Sequence, residues 1–229
     1  MAKHKRVTRK QLLKEPDEFI TTTGRIIQWG QKYTKPLVFT AGTILLLLFV
    51  ITGYRYFSNI QENSAFLLLD EAVSKYEARK ADTDAVSAYE NAKEDFEYII
   101  RKYDNTEGGK LAMIVFAGIC YDADNAERAI ELYEAGLEHF SSDTTYQNFL
   151  WSGLGYAYEK KKDVQKAVSY FQKIAQGNDP TGKDVALFNL GRLYGELGDT
   201  AKSKAAYERL TLDHTDSIYF QLAKEKIAG

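Results

Sequence analysis

Apolar and polar positions follow three successive rhythms along the chain. From Glu18 to Tyr33 the sequence EFITTTGRIIQWGQKY places Phe19, Thr23, Ile26, Ile27, Gly30 and Tyr33 at helical spacing on one side. This predicts a short amphipathic helix over 18–33 of the kind that lies in a membrane interface. Two glycines and three consecutive threonines weaken it. Residues 37–53, LVFTAGTILLLLFVITG, then carry neither charge nor proline. After residue 58, helical patterns recur, separated by short polar turns, and no strand-like alternation appears. The predicted architecture is all-α: a single transmembrane helix followed by an α-solenoid of about four helix pairs. The expected divisions are a basic cytoplasmic segment at 1–35, the span at 36–57 and the helical repeat domain at 58–229.

With its aromatic flanks the uncharged run reaches the roughly 20 residues that cross a ~30 Å hydrocarbon core. A buried soluble helix of this length would show a polar stripe, and this one shows only threonines. Trp29 and Tyr33 precede it; Tyr54, Tyr56 and Phe57 follow, as interfacial rings do. Charge then sets the direction. Between Met1 and Pro36 nine Lys/Arg stand against three Asp/Glu, while the whole chain carries −2, so the larger part is acidic. Lys32 and Lys35, with Lys3, Lys5, Arg6, Arg9 and Lys10 beyond them, lie before the span; only Arg55 lies close after it. The positive-inside rule puts the N-terminus in the cytoplasm and the large domain across the bilayer. The preceding segment is too long for a signal-peptide n-region, and ITGYRYF offers no small-x-small cleavage site. The expectation is an uncleaved signal anchor. An acidic large domain gives no reason for nucleic-acid binding.

Repetition appears at about 36 residues. Leu150-Trp151-Ser152-Gly153-Leu154-Gly155-Tyr156-Ala157-Tyr158 with Ala167 and Phe171 returns as Leu187-Phe188-Asn189-Leu190-Gly191-Arg192-Leu193-Tyr194 with Gly198 and Tyr207. Both fit the tetratricopeptide spacing. A more degenerate copy has Ile114, Ala117, Gly118 and Tyr121, then Ala129, Tyr133 and Gly136. A first copy falls at 60–103 with Ala92, Phe96 and Ile99 on its second helix; its first helix fits poorly and its link around Arg79–Asp84 looks long. In this reading Gly118, Gly155 and Gly191 allow close helix approach, and Tyr133, Phe171 and Tyr207 fill the space between neighbouring repeats. Asp82 or Asp84, Asp124, Asp163 and Asp199 stand where second helices begin, as N-caps or first-turn acids.

Two resemblances follow from these residues. Phe96-x-x-Ile99-Ile100-x-x-Tyr103-Asp-Asn-Thr106 and Tyr207-x-x-Leu210 followed by Asp-His-Thr-Asp-Ser217 look like a pattern of bacterial envelope repeat proteins, among them the β-barrel assembly lipoproteins and the Tol-Pal coordinator. This chain lacks their turn proline. The whole layout, with Gly53-Tyr54-Arg55-Tyr56-Phe57 leaving the span, is similar to the YfgM-type ancillary subunits of the Sec translocon; its basic N-terminus is longer. The resemblance implies a scaffold or chaperone-like partner of envelope proteins, held in a bacterial inner membrane with its repeats in the periplasm. The alternatives are an accessory subunit of a large membrane complex and an organelle import receptor with cytosolic repeats, which would violate the charge bias. No GxxxG pairing motif marks the span.

Registering the copies on Gly118, Gly155 and Gly191 puts Val115, Ile119, Phe149, Ser152, Tyr156, Phe188 and Arg192 on the concave face formed by first helices. This predicts a groove for a protein or peptide, with aromatic anchors and Arg192 pairing an acidic group. No enzyme activity, cofactor or metal is expected. His4, His139 and His214 are scattered. The single cysteine, Cys120, falls among apolar residues and reads as a packed side chain. Gly153-Leu154-Gly155 lacks the preceding strand of a phosphate loop.

Overall fold

In the computed structural model, residues 18–228 are described, and they form ten α-helices and no strand. The helices are α1 (Glu18–Lys32), α2 (Thr34–Asp82), α3 (Ala85–Lys102), α4 (Glu107–Asp122), α5 (Ala126–His139), α6 (Thr144–Lys160), α7 (Val164–Gln176), α8 (Lys183–Glu196), α9 (Thr200–Asp213) and α10 (Phe220–Ala228). The basic residues expected before position 18 lie outside the described residues. The chain divides into two compact units, Met1–Phe57 and Ser58–Gly229.

In the first unit α1 and the start of α2 are separated by Tyr33 alone. Pro36 explains the break. It sits at the third position of α2, has no N–H to give to the Lys32 carbonyl, and is tolerated only in a helix's first turn. Backbone bonds from Tyr33 to Trp29 and from Leu37 to Tyr33 bridge the step. Further along, α2 holds an 18-residue window long and apolar enough to cross a membrane, and none of that window is buried.

The second unit is a succession of helix pairs: the later part of α2 with α3, then α4–α5, α6–α7 and α8–α9, with α10 against α9. One continuous core of small and large apolar residues runs through all of them, from Ala65 to Ala223. Its largest members, Phe96, Phe116, Phe171, Leu150, Leu154, Leu193 and Leu210, are fully buried. Removing side chains of this size from water is what holds such pairs together.

The link at Arg79–Asp84 is not long. α2 continues to Asp82 and only Thr83 and Asp84 separate it from α3, because Ala78, Arg79, Lys80 and Ala81 are all good helix formers. The first pair also joins α4 directly. The Glu62 carboxylate accepts from the Gly108 amide at 2.8 Å and the Glu107 amide at 3.1 Å, two of the donors a helix start leaves unpaired.

Candidate functional site

Three turns within helix pairs share one geometry, and that geometry fixes the register of the repeats. In each, an amide reaches back five residues: Asn125 to Cys120 (2.8 Å), Asp163 to Tyr158 (2.9 Å) and Asp199 to Tyr194 (2.9 Å). The residue before each of these is left-handed: Asp124 (φ 64°), Lys162 (φ 66°) and Gly198 (φ 77°). Bonds of this span around a left-handed residue close a helix end. The following residue caps the second helix: Asn125 accepts from the Arg128 amide, Asp163 from Lys166 and Asp199 from Lys202. Asp84 caps α3 through the Ser87 amide. Asp124 is therefore not the cap its sequence position predicted. It takes the left-handed place, which Asp tolerates better than most residues, and Asn125 does the capping.

Counting back from these caps aligns Gly155 and Gly191 with Ala117, not with Gly118. The consequence is visible at the rings. A Cβ on Gly155 would lie 2.6 Å from the Phe171 ring, and one on Gly191 2.6 Å from the Tyr207 ring. One on Gly118 would meet nothing nearer than the Tyr133 hydroxyl at 3.8 Å. The expected close approach holds at Gly155 and Gly191 and fails at Gly118. Phe171 and Tyr207 also make ring contacts within their own pairs, edge-on to Tyr156 (5.2 Å) and Phe188 (5.9 Å). Tyr133 reaches the neighbouring pair, lying over Gly153.

The predicted face residues separate accordingly. Ile119 is 5% exposed and belongs to the core; in the corrected register it matches Ala157 and Leu193, both fully buried. The one-residue shift rotates it by about 100° around its helix, which takes it off the surface. Val115 is partly buried against the core and Ser152 is half-buried. The Tyr156 hydroxyl accepts from Asn189 Nδ2 at 2.9 Å, and burial raises its pKa. Phe188 is covered by Tyr219, whose ring stacks on it at 4.4 Å; Ser217 secures this segment by donating to Asp184 at 2.7 Å. Arg192 already has an acidic partner. Its Nη2 donates to Glu159 at 2.7 Å and to the Asn189 side-chain oxygen at 2.9 Å. Phe149 alone among the seven presents a large open apolar surface, at 56% exposure. Tyr146, one turn earlier on α6, is exposed as well, its ring stacked on Phe140.

First helices are linked side by side. Lys80 of α2 pairs with Asp122 of α4 at 2.8 Å, Lys160 of α6 donates to the Tyr121 carbonyl of α4 at 2.6 Å, and Asn189 and Arg192 of α8 reach Tyr156 and Glu159 of α6. In the corrected register, Leu111, Phe149 and Val185 occupy one equivalent position on α4, α6 and α8. Leu111 and Val185 are half-buried, so this row is the open apolar track of the first-helix face.

Residues 150–176 match a family model described as tetratricopeptide repeat, and residues 185–217 match a second of the same description. The chain carries tetratricopeptide repeats. These segments correspond to α6–α7 and to α8–α9 with the turn that follows. No curated protein matches the chain. Repeats of this kind are protein-interaction scaffolds. Among the described residues no group of three or more His, Cys, Asp or Glu could hold a metal ion. Cys120 is buried in the core, and burial pushes its thiol up to about 12, which keeps it protonated and a poor nucleophile.

Proposed function

We propose that this protein is a membrane-anchored adaptor, not an enzyme, whose tetratricopeptide unit captures a segment of a partner protein along the Leu111–Phe149–Val185 row. The observation that carries this reading is the exposure of Phe149 in the middle of an otherwise internally satisfied face. A large exposed ring on a rigid helix is the kind of residue that anchors a peptide. The polar groups that could have served as anchors, Arg192 and Tyr156, are already engaged with Glu159 and Asn189, so recognition is apolar rather than a clamp on a carboxylate.

The apolar stretch of α2 is read as the anchor in an inner membrane, with the basic side cytoplasmic and the repeats periplasmic. The charge asymmetry, the aromatic flanks and the resemblance to YfgM-type translocon subunits support this placement. Alkaline extraction of one sample, and protease treatment of separate, intact right-side-out vesicles, test it. The expected outcome is a chain retained in the membrane with its repeats digested; a protected repeat unit would reverse the orientation. For recognition, a photo-crosslinking residue is placed at Phe149 in the full chain, and at Lys204 on the outer side of α9 as a control. A product specific to position 149, lost on adding Leu111→Asp and Val185→Asp, is expected. Equal products from both positions would overturn the assignment of the face.

A further inference from the structure

The first unit carries a helix that the adaptor reading does not use. Within α1, Ile26 is 64% exposed, Trp29 58% and Tyr33, just after its end, 40%. Their spacing of three and four residues puts them on one face, where the Trp29 and Tyr33 rings touch at 5.5 Å between centroids. Trp29 is thus part of the apolar face that the spacing of Ile26 and Tyr33 marks out. Arg25 and Lys32 lie along one edge of it, both exposed, and the Lys32 ammonium stands 5.6 Å from the Tyr33 ring centre. Gln28 and Gln31 face the other way. Ile27, 55% exposed, lies on that side too, about 100° around the helix from Ile26 rather than on one side with it as its spacing predicted.

We infer that α1 lies flat in the headgroup layer of an anionic bilayer, with Ile26, Trp29 and Tyr33 immersed and Arg25 and Lys32 against lipid phosphates. The inference rests on reading the α2 stretch as a membrane span. Three observations in the same unit name the occupant. The apolar run begins at Leu37, four residues past Tyr33, so a bilayer around that run comes to the end of α1. Tyr33 falls outside both helices and Pro36 cannot donate to Lys32, so the step, bridged by the Tyr33–Trp29 and Leu37–Tyr33 bonds, is the place where α1 is least tied to the span. The edge charges are cationic and carried on long stems that let the head reach phosphate while the stem stays apolar. Trp and Tyr are the rings that favour this depth. A soluble partner needs no such combination of interfacial rings, basic edge and proximity to the run.

The test uses the full chain with Cys120→Ala, reconstituted into vesicles of phosphatidylcholine alone or mixed with phosphatidylglycerol. Single cysteines are introduced in turn from Arg25→Cys to Tyr33→Cys and labelled with a polarity-sensitive fluorophore. In the mixed vesicles, positions 26, 29 and 33 are expected to report an apolar surrounding and 28 and 31 water, repeating every ~3.6 residues. Adding Arg25→Glu and Lys32→Glu should abolish the apolar signal while the chain stays in the vesicles after an alkaline wash. A signal that falls steadily with distance from residue 37, with no periodicity, would overturn the inference by showing α1 standing out from the bilayer. An identical pattern in phosphatidylcholine alone, untouched by the charge reversals, would overturn the anionic requirement. Loss of the chain itself in the alkaline wash would defeat the anchor reading, and this inference with it.

Discussion

Pairs α4–α5 and α6–α7 have the same turn, the same cap position and the same spacing from cap to aromatic ring, yet they use that ring differently. In α6–α7, Phe171 lies on its own pair's glycine, Gly155. In α4–α5 the matching position is Ala117, fully buried, and Tyr133 lies over Gly153 of the following pair. Helix α6 therefore receives a ring from each side, Tyr133 over Gly153 and Phe171 over Gly155. Two differences accompany the change: Ala117 stands where the later pair has Gly155, and the helix after α5 offers Gly153 where the helix after α7 has Asn189.

The comparison breaks most clearly at the rings. Phe171 is fully buried, so Phe171→Ala should cost about 3–5 kcal/mol, read as a fall in the thermal midpoint of the full chain in detergent. A loss below about 1 kcal/mol would mean that the ring is not the keystone of its pair. The glycines come next. Gly155→Ala drives a methyl into Phe171 and should cost about 1–3 kcal/mol. Gly118→Ala makes only an ordinary contact, 3.8 Å from the Tyr133 hydroxyl, and in mid-helix should stabilise by about 0.5–1 kcal/mol. Equal effects of the two would return the register to Gly118.

The left-handed turn residues give a smaller contrast. Gly198→Ala forces a Cβ into a conformation it resists and should cost about 1 kcal/mol. Lys162→Gly relieves that same strain in the α6–α7 turn, and should be neutral or stabilising by about 0.5 kcal/mol once glycine's greater unfolded-state entropy is counted. Unfolding of the two variants side by side checks the opposite signs.

The sequence showed the apolar run, the helical repeats and three of the four caps, because each rests on near neighbours in the chain. The register of α4 was lost to a plausible substitute, since Gly118 stands one residue from where Gly155 and Gly191 would place it. The cue that corrects it, counting eight back from the cap at Asn125, was available but masked by Asp124, which resembles a cap. What happened to the face was not legible. Glu159 lies 33 residues from Arg192, and Tyr219 reaches Phe188 only because the chain after α9 folds back. Nothing in local spacing records either event. Phe149 was legible as an exposed apolar residue, but not as the one still open when the others had found partners.

The caps provide the finest contrast, because Asp199 titrates and Asn125 does not. The Lys202 ammonium, 2.7 Å from the carboxylate, and the Lys202 amide hold the Asp199 carboxyl below its ordinary pKa. A carboxyl depressed on folding contributes stability above its unfolded pKa of about 3.9, and loses it as pH falls through the lower folded value. The group is exposed, so the effect is local fraying of the α9 start rather than unfolding. Hydrogen exchange corrected for intrinsic rates should show the Lys202 amide losing protection as pH drops below about 3.9. The Arg128 amide, bonded to Asn125 Oδ1 at 3.3 Å, should hold its protection over the same interval, since its acceptor carries no proton to gain. Parallel losses at both amides would show that acid loosens the repeats as a whole and that the charge of the Asp199 cap contributes nothing of its own.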